Sequence, residues 1–573
     1  MIIKYFPSLF FLLAFLVVPI PRAQMKKHPA FSFQNLSVSG ITQGVTGLGV
    51  FPDGRLAVAT FRGTMDKPDY SAEPTFARPS YGGVYIIENG KATRIYDKIL
   101  DAMGVLVHEG ALYVTDQNRV IKFTENNGSW SEATFLDIPT GDGYFEYSFG
   151  PVAPGDGYFY FGNSNHTEPP VGYMVKQKFP DRGTIIRVPV QGGDYEVYAK
   201  GIRMPNGIGL GPDNGIVVTE NQGVWRPSSV VNYIQKGKHY GYSHSVAERD
   251  SIAEITPSTI QLPYKTITTS PTQPVLLDAG PFKGQLIFGD WPTAGLYRAH
   301  LDPIVDGKGS PTFQGSCFYL TSGNSQSALR MIRDPGKNEY YLANISSYAY
   351  GSFQKLIYNP SASFFDMVAI RARSGGLEIE FTQPVGSGAE TVGNYTLEDW
   401  AYDYSVYKKN VKLYYYPDFA PAPLAVSKAQ ISDDKTRVFL TVDGMEEGSV
   451  IHVTLGNLAS QSGSSPVYKD GWYTLNHFSK VAFSPTPSPI PAIERRKKTS
   501  SDLRVRRQAG IIAFEWTSEY SALTVHGLNG SVERTFDVSG RKSFRWMGAS
   551  DFKGLYLVKL QGEEVSTVAK ILF

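Results

Sequence analysis

The chain has 573 residues, of which 42% are hydrophobic and 13% aromatic, so it is long enough for several domains with buried cores. Lys and Arg total 55 and Asp and Glu total 53, and this balance argues against nucleic acid or a membrane surface as a general partner. The 57 glycines and 37 prolines favour a turn-rich, all-β protein over a helical one.

The N-terminus has the pattern of a secretory signal peptide, which we predict at residues 1–24. One lysine precedes a predominantly apolar stretch from Phe6 to Ile20, and small residues follow it. This stretch is short for a membrane span, and a retained N-terminal anchor is the alternative. No later stretch is apolar enough to cross a bilayer, so we expect no transmembrane segment once the signal is removed.

The chain contains a single cysteine, Cys317. An exported protein with one cysteine has no internal disulfide, so its stability must come from the size of its core. A Cys-x-x-Cys-His motif is missing, which excludes covalently attached haem. We expect Cys317 to be a small, buried apolar residue.

A hairpin pattern recurs along the first two thirds of the chain. Each copy has a short apolar strand, a turn of Gly, Pro or Asp, and a second apolar strand. The copies begin at Gly47, Gly104, Phe149, Asn206, Phe282 and Met331. Repetition of this kind predicts a six-bladed β-propeller over residues 36–365, with long loops between the blades.

The pattern changes near Phe365, where longer alternating strands begin. Residues 366–482 predict a β-sandwich of immunoglobulin or fibronectin type. Residues 483–500 are rich in proline and end in a basic run, which is typical of an extended linker. Residues 501–573 again pair strands around Asn-Gly and Gly-Glu turns, so we predict a small C-terminal β-sandwich and an all-β chain throughout.

The C-terminal β unit resembles the C-terminal sorting domain of the bacterial type IX secretion pathway. The resemblance depends on "LTVHGLNGSV" at 523–532, "KGLYLVKL" at 553–560 and the apolar end "AKILF". It implies a bacterial protein that is exported through the periplasm to the cell surface or the medium, with the secretion machinery as a partner. The alternative is a terminal sandwich that only adds stability.

The stretch 201–241 resembles the soluble sugar dehydrogenase family, which uses pyrroloquinoline quinone and calcium. The matching residues are Arg203, Pro205, Asn206, Gly207, Gln222, Gly223, Asn232, Ile234, Gly237, Tyr240 and Gly241. Met204 stands where the family has Asn. A closer resemblance, to large bacterial sugar-dehydrogenase-like propellers described as membrane-bound dehydrogenase domains, extends from about residue 40 to about residue 480.

This resemblance implies a cofactor site. The implied cofactor-binding set is Arg203, Asn206, Gln222, Gly223 and Arg330. Backbone carbonyls of Gly223 and Val224 would bind calcium, which prefers oxygen ligands. The quinone carries carboxylates that need guanidinium groups around them, which is the role implied for Arg203 and, as a second candidate, for Arg330. The alternative is that the loop 222–225 only packs the end of a blade.

The catalytic base is the point at which the chain departs from the family. Oxidation of a sugar hydroxyl needs a base that takes the hydroxyl proton, and histidine suits neutral pH. Related propellers have a His-Glu pair before a Phe-Gly in the third blade, whereas this chain has Phe145 at the histidine position. Glu146 is retained and His166 could act from a nearby loop, so these two residues are the catalytic candidates.

Two further functions stay open. A propeller without its base could bind a sugar, a polysaccharide or a protein partner outside the cell without catalysis. The calcium-dependent lactonases, another six-bladed family, share the Pro-Asn-Gly turn with an Asn metal ligand, which is Asn206 here. The chain lacks His-Glu-x-x-His and Gly-x-Ser-x-Gly, which excludes zinc-protease and α/β-hydrolase chemistry of the usual kind.

Overall fold

The computed structural model describes most of the chain from residue 26 to residue 572. The described ranges are 26–61, 81–138, 147–165, 181–221, 228–242, 251–264, 266–291, 295–322, 327–334, 337–346, 349–400, 421–486, 504–508, 511–516, 522–526, 532–539, 541, 543–546, 555–561 and 566–572. The predicted signal peptide lies outside these ranges, as does most of the predicted linker. The chain divides into two compact units, Met1–Pro487 and Ser488–Phe573.

The described elements are strands, apart from two short 3-10 helices at Pro212–Asn214 and Val392–Asn394. This confirms the predicted all-β class. Within the described segments, no helix combines the length and the apolar composition needed to cross a bilayer.

The propeller begins with two N-terminal strands and continues with repeated groups of four antiparallel strands. The N-terminal strands are β1 (Lys26–Lys27) and β2 (Phe31–Leu36). The first group is β3 (Val45–Val50), β4 (Leu56–Thr60), β5 (Gly82–Glu88) and β6 (Lys91–Ile99), and the second is β7 (Gly104–His108), β8 (Ala111–Thr115), β9 (Arg119–Asn126) and β10 (Ser129–Asp137). The third group is β11 (Ser148–Val152), β12 (Tyr158–Asn163), β13 (Thr184–Pro189) and β14 (Glu196–Lys200). The fourth group is β15 (Gly207–Leu210), β16 (Ile216–Glu220), β17 (Ser228–Tyr233) and β18 (Ile260–Pro263). Next come β19 (Val275–Leu276), β20 (Leu286–Gly289), β21 (Leu296–Val305) and β22 (Pro311–Ser322), and then β23 (Ser327–Arg333), β24 (Glu339–Ser346) and β25 (Ala349–Tyr358).

The N-terminal strand closes the ring of blades. Strand β2 pairs antiparallel with β25, so the last sheet is built from both ends of the propeller, with Phe31 opposite Tyr358 and Leu36 opposite Phe353. The innermost strands contact one another in the cyclic order β3, β7, β11, β15, β19 and β23, and β23 returns to β3. The ring therefore has six positions around a central axis.

Five of the six positions are separate four-stranded sheets, whereas six separate blades were predicted. At the fifth position, β19–β22 belong to a 12-stranded sheet, because β22 continues its pairing into the sandwich. Gly315 to Cys317 lie opposite Thr474 to Trp472 across this junction. The sandwich thus covers a sheet edge that would otherwise face solvent.

The sandwich is formed by seven further strands. They are β26 (Met367–Arg373), β27 (Gly376–Phe381), β28 (Tyr395–Trp400), β29 (Ala422–Ile431), β30 (Arg437–Asp443), β31 (Ser449–Leu455) and β32 (Asp470–Leu475). Strand β29 pairs with both β28 and β30 and so joins the two faces. The core between the faces contains Ile370, Leu440, Ile451 and Tyr473, and Phe318 from β22 packs into the same cluster. Propeller and sandwich therefore share a sheet and part of a core.

The C-terminal unit contains two small sheets. The first is β33 (Arg504–Gln508), β34 (Ile511–Glu515) and β37 (Ser543–Trp546), and the second is β36 (Val532–Asp537), β35 (Ala522–His526), β38 (Leu555–Gln561) and β39 (Ser566–Leu572). Phe514, Leu523 and Leu560 are buried, and Trp516 donates its indole N–H to the Arg541 carbonyl at 2.8 Å. The role of this unit in secretion stays a prediction.

Candidate binding site at the propeller axis

A cavity lies where the six ring positions meet. Residues in or next to the first and second strands of the ring positions line it, from Gly44 in the first position to Ile345 in the last. The cavity has a volume of about 90 Å³ and opens into a mouth, and the empty space that includes this mouth is about 610 Å³. A ligand the size of a cofactor would therefore lie partly in the cavity and partly in its mouth.

The described lining is mainly apolar and carries no charged side chain. Eight of its side chains are aromatic or aliphatic: Phe61, Met103, Tyr147, Phe149, Met204, Trp291, Leu329 and Ile345. Four are polar but neutral: Thr46, Asn206, Asn221 and Ser270. Aromatic walls with a few polar groups are typical of sites for flat organic ligands.

A completely buried guanidinium lies directly behind this lining. Arg330 Nε donates to the Thr46 carbonyl at 2.6 Å, and Nη1 donates to the carbonyls of Asn206 (3.1 Å) and Leu329 (2.8 Å). Nη2 donates to the Met103 carbonyl at 3.3 Å and contacts the Met103 sulfur at 3.6 Å. Arg330 thus ties its own strand, β23, to three other ring positions.

The charge of Arg330 is not neutralised by any carboxylate in the described part of the chain. Burial alone lowers the pKa of its guanidinium to about 9, so the side chain is positive at pH 7. A guanidinium has five N–H donors, and those of Arg330 are directed at protein acceptors. A ligand anion in the cavity would therefore meet the positive charge of Arg330 rather than its N–H groups.

The polar residues form a hydrogen-bonded wall on one side of the cavity. Asn206 Nδ2 lies 3.1 Å from Ser270 Oγ, and Ser270 Oγ lies 2.9 Å from Asn221 Oδ1. The backbone of Ser270 is fixed by bonds from its N–H to Asp290 Oδ1 (2.6 Å) and from the Trp291 N–H to its carbonyl (2.9 Å). We call Asn206, Ser270 and Asn221 the amide wall.

The Pro-Asn-Gly turn places Asn206 in this wall. The Asn206 N–H donates to the Met204 carbonyl two residues back at 2.8 Å, which makes the turn tight. A Cβ on Gly207 would lie 2.4 Å from the Cα of Gln273 and 2.6 Å from Thr219 Oγ1. Glycine is therefore required where the fourth and fifth ring positions approach each other.

The structure brings two of the predicted site residues together and places a third elsewhere. Asn206 lines the cavity and its carbonyl accepts from Arg330. Arg203 is buried and is not among the described lining residues; its backbone N–H donates to Glu220 Oε1 at 2.7 Å. The other carboxylate oxygen of Glu220 accepts from Asn232 Nδ2 at 3.2 Å. Two residues of the predicted motif thus meet at Glu220, which the sequence did not single out.

The remaining predictions fall outside the described residues. They are the catalytic candidates Glu146 and His166, the substituted position Phe145, and the cofactor and calcium loop with Gln222, Gly223 and Val224. Among the residues that are described, no group of three or more His, Cys, Asp and Glu side chains could hold a metal ion. The lactonase alternative gains no support from the described residues, because no carboxylate lies beside Asn206 in the described lining of the cavity.

No protein-family model matches this sequence, and no curated protein matches it either. Solved structures similar to the chain include several sugar dehydrogenases. The soluble aldose sugar dehydrogenase of Escherichia coli is 15% identical, with a TM-score of 0.39, over 57% of this chain and 100% of its own. The quinone-bound aldose sugar dehydrogenase of Streptomyces coelicolor is 14% identical, with a TM-score of 0.39, over 58% and 100%. The holo quinone domain of Coprinopsis cinerea pyranose dehydrogenase is 12% identical, with a TM-score of 0.40, over 59% and 98%.

Proposed function

We propose that the chain is a sugar-dehydrogenase-like propeller that binds pyrroloquinoline quinone at the axis and, with calcium, oxidises sugar or polyol hydroxyls. The observation that supports this most is the combination of an aromatic, uncharged cavity with the unneutralised charge of Arg330 behind it. A flat ring system that carries negative charge complements both features. Export through the periplasm, directed by residues 1–24 and 501–573, is part of the proposal.

The described residues fit the ring of this cofactor and one of its charges. Tyr147, Phe149 and Trp291 supply flat surfaces, and Arg330 supplies a positive charge. Arg203 would provide a second positive charge, as the family resemblance implies. The same resemblance implies that calcium is held by the carbonyls of the loop 222–224. When bound, the quinone would accept a hydride from the alcohol carbon, and the chain itself must accept the hydroxyl proton.

A titration of the purified protein with pyrroloquinoline quinone and calcium from pH 6 to pH 10 tests the binding site. We expect the affinity to be constant up to a pH of about 9 and to fall by up to about tenfold per pH unit above it. The sign follows because an anion prefers the protonated guanidinium, and burial has lowered the pKa at which Arg330 loses its proton.

The control is Arg330→Gln, which removes the charge and keeps a side chain that can donate to carbonyls. It should bind the quinone more weakly at pH 7 and show no step near pH 9. Its thermal unfolding reports whether the ring remains closed. If the parent protein binds no quinone at any pH in the presence of calcium, the proposed function is wrong.

The turnover of the loaded protein tests the catalytic half of the proposal. Phe145→His should leave quinone affinity unchanged and raise dye reduction on a panel of aldoses by roughly 10²- to 10⁴-fold, the usual contribution of a general base. Phe145→Leu is the matched control for a change of side-chain volume. Equal rates for the two variants would mean that the absent histidine does not limit this protein.

A non-catalytic function is the second candidate, and one observation favours it. The described lining contains no carboxylate and no histidine that could accept a proton. If the protein binds aldoses but neither binds quinone nor oxidises sugar, it is an extracellular carbohydrate-binding propeller.

A further inference from the structure

In the amide wall, one amide donates to the Ser270 hydroxyl and the other accepts from it, whichever way round the two amides are placed. The Ser270 hydroxyl has one proton, so it donates to one amide and accepts from the other. As described, Asn206 Nδ2 donates to Ser270 Oγ and Asn221 Oδ1 accepts from it. Turning both amides over exchanges their roles. Turning only one either deprives the buried hydroxyl proton of an acceptor or sets two amide oxygens against it.

The wall therefore presents one free amide oxygen and one free amide NH₂ to the cavity. In the described residues, Asn206 Oδ1 and Asn221 Nδ2 have no protein partner, and both side chains are half-buried in the lining. A ligand must pair with these two atoms to avoid leaving them unsatisfied.

We infer that the amide wall determines specificity for the sugar, by pairing with two hydroxyls of a neutral sugar or polyol. Each sugar hydroxyl both donates and accepts, so a pair of hydroxyls matches one free oxygen and one free NH₂. The edge of the quinone consists mainly of carbonyl and carboxylate oxygens, which accept only and so leave the amide oxygen unpaired. The wall thus binds the substrate rather than the cofactor.

The same lining selects against cationic sugars. None of the described lining residues carries a charge, so an ammonium group placed against the wall would lose its hydration without gaining an ion pair, and the positive charge of Arg330 would repel it. This inference rests on the proposed function, because it names the substrate class of the same cavity. It adds the three residues that would recognise the substrate.

Calorimetric titration of the protein without quinone tests the inference directly. A panel of neutral aldoses is measured first, and the tightest ligand is then compared with its monodeoxy analogues and with its amino-sugar analogue. We expect two of the deoxy positions and the amino sugar each to weaken binding by about tenfold or more. Ser270→Ala should reduce the loss at the two deoxy positions to less than about threefold, because its amides can turn independently.

Two further variants separate recognition from folding. Ser270→Thr keeps the hydroxyl and should restore the discrimination between hydroxyl and deoxy ligands. Ser229→Ala removes another buried serine hydroxyl, which does not line the cavity and donates to the Thr269 carbonyl at a distance of 3.0 Å. This variant should bind aldoses as the parent does. If no aldose binds the parent, or if Ser270→Ala discriminates as the parent does, the inference is overturned.

Quinone titration of Ser270→Ala distinguishes failure of this inference from failure of the proposed function. We expect the quinone affinity of this variant to equal that of the parent. A loss of quinone affinity would mean that the wall binds the cofactor, which overturns the inference and leaves the proposed function standing. If no quinone binds but the aldose pattern holds, the proposed oxidation is wrong and the sugar specificity stands.

Discussion

Replacing Asp366 by alanine should lower the free energy of unfolding by about 3–5 kcal/mol. Asp366 precedes the first sandwich strand and pairs with Arg298 of β21, with 3.2 Å between Oδ2 and Nη2. Both side chains are almost completely buried. Without this carboxylate, the positive charge of Arg298 stays buried and loses its paired anion. An uncompensated buried charge costs more stability than the intact pair contributes.

The aromatic surroundings of Arg298 suggest how to test this reasoning. Its guanidinium lies 4.1 Å from the ring centroids of both Phe282 and Phe318, so an apolar side chain would pack in the same space. The double variant Arg298→Met/Asp366→Leu should therefore lose less stability than Asp366→Ala, as measured by urea unfolding at pH 7. A double variant that is as unstable as the single one would show that the contacts of Asp366, with Arg298 and with the buried His28 Nε2 at 3.2 Å, stabilise the junction more than the orphaned charge destabilises it.

A surface ion pair provides the comparison. Arg55 Nη2 and Glu125 Oε2 lie 2.8 Å apart, but both side chains are partly exposed. Glu125→Ala should cost no more than about 1 kcal/mol, because solvent screens the charges.

Asp302→Asn should stabilise the protein at neutral pH. Asp302 lies on β21, and burial raises the pKa of its carboxyl group to about 6, whereas 3.8 is its ordinary value. Oδ2 accepts from the Tyr473 hydroxyl at 2.8 Å and from the Ala372 N–H at 3.3 Å. Because the folded-state pKa is the higher one, the contribution of this group to stability is complete below pH 3.8 and is lost as the pH rises through 6.

The size of this effect follows from the shift in pKa. At about 1.4 kcal/mol per pKa unit, the whole shift amounts to about 3 kcal/mol, and the parent should lose about 2–3 kcal/mol of it between pH 4 and pH 7. Asp302→Asn should equal the parent at pH 4 and exceed it by roughly 1–3 kcal/mol at pH 7.5 in urea unfolding. If the variant is less stable at pH 7.5, the charge of Asp302 is needed by neighbouring Arg371.

Asp306 on the same hairpin is the control of opposite sign. It is partly exposed, and backbone N–H groups of Ser310 and Lys308 hold the pKa of its carboxyl group below the ordinary value. Asp306→Asn should therefore lose stability at neutral pH and show no difference at low pH.

The local pattern of short apolar strands separated by Gly, Pro or Asp turns was sufficient to predict most of the propeller. Gly47, Gly104 and Phe149 were predicted to begin hairpins, and they lie in the innermost strands β3, β7 and β11. At the fifth position the pattern failed, since β19 has only two residues and the predicted start at Phe282 falls before β20. The pairing of β22 with β32 joins strands that lie far apart along the chain, and no local periodicity reports such a contact.

The site was predictable only where a motif marked it. Asn206 and Arg330 were chosen by resemblance, and they are in contact. Ser270 lies in an ordinary polar loop, so its role depends on the fourth and fifth ring positions meeting at the axis. Glu220 is the last residue of a buried strand, and no motif in the sequence marks it. Arg203 and Asn232 nevertheless both donate hydrogen bonds to its carboxylate.

The closure of the ring by β2 also determines when the chain can finish folding. Strand β2 pairs with β25, which is the last strand of the propeller to be synthesised, so a long loop must close before the final sheet exists. Until β32 has also been made, the outer edge of β22 remains open to any other strand. The topology therefore predicts slow folding and, between the synthesis of β22 and that of β32, an open strand edge at which another chain could pair.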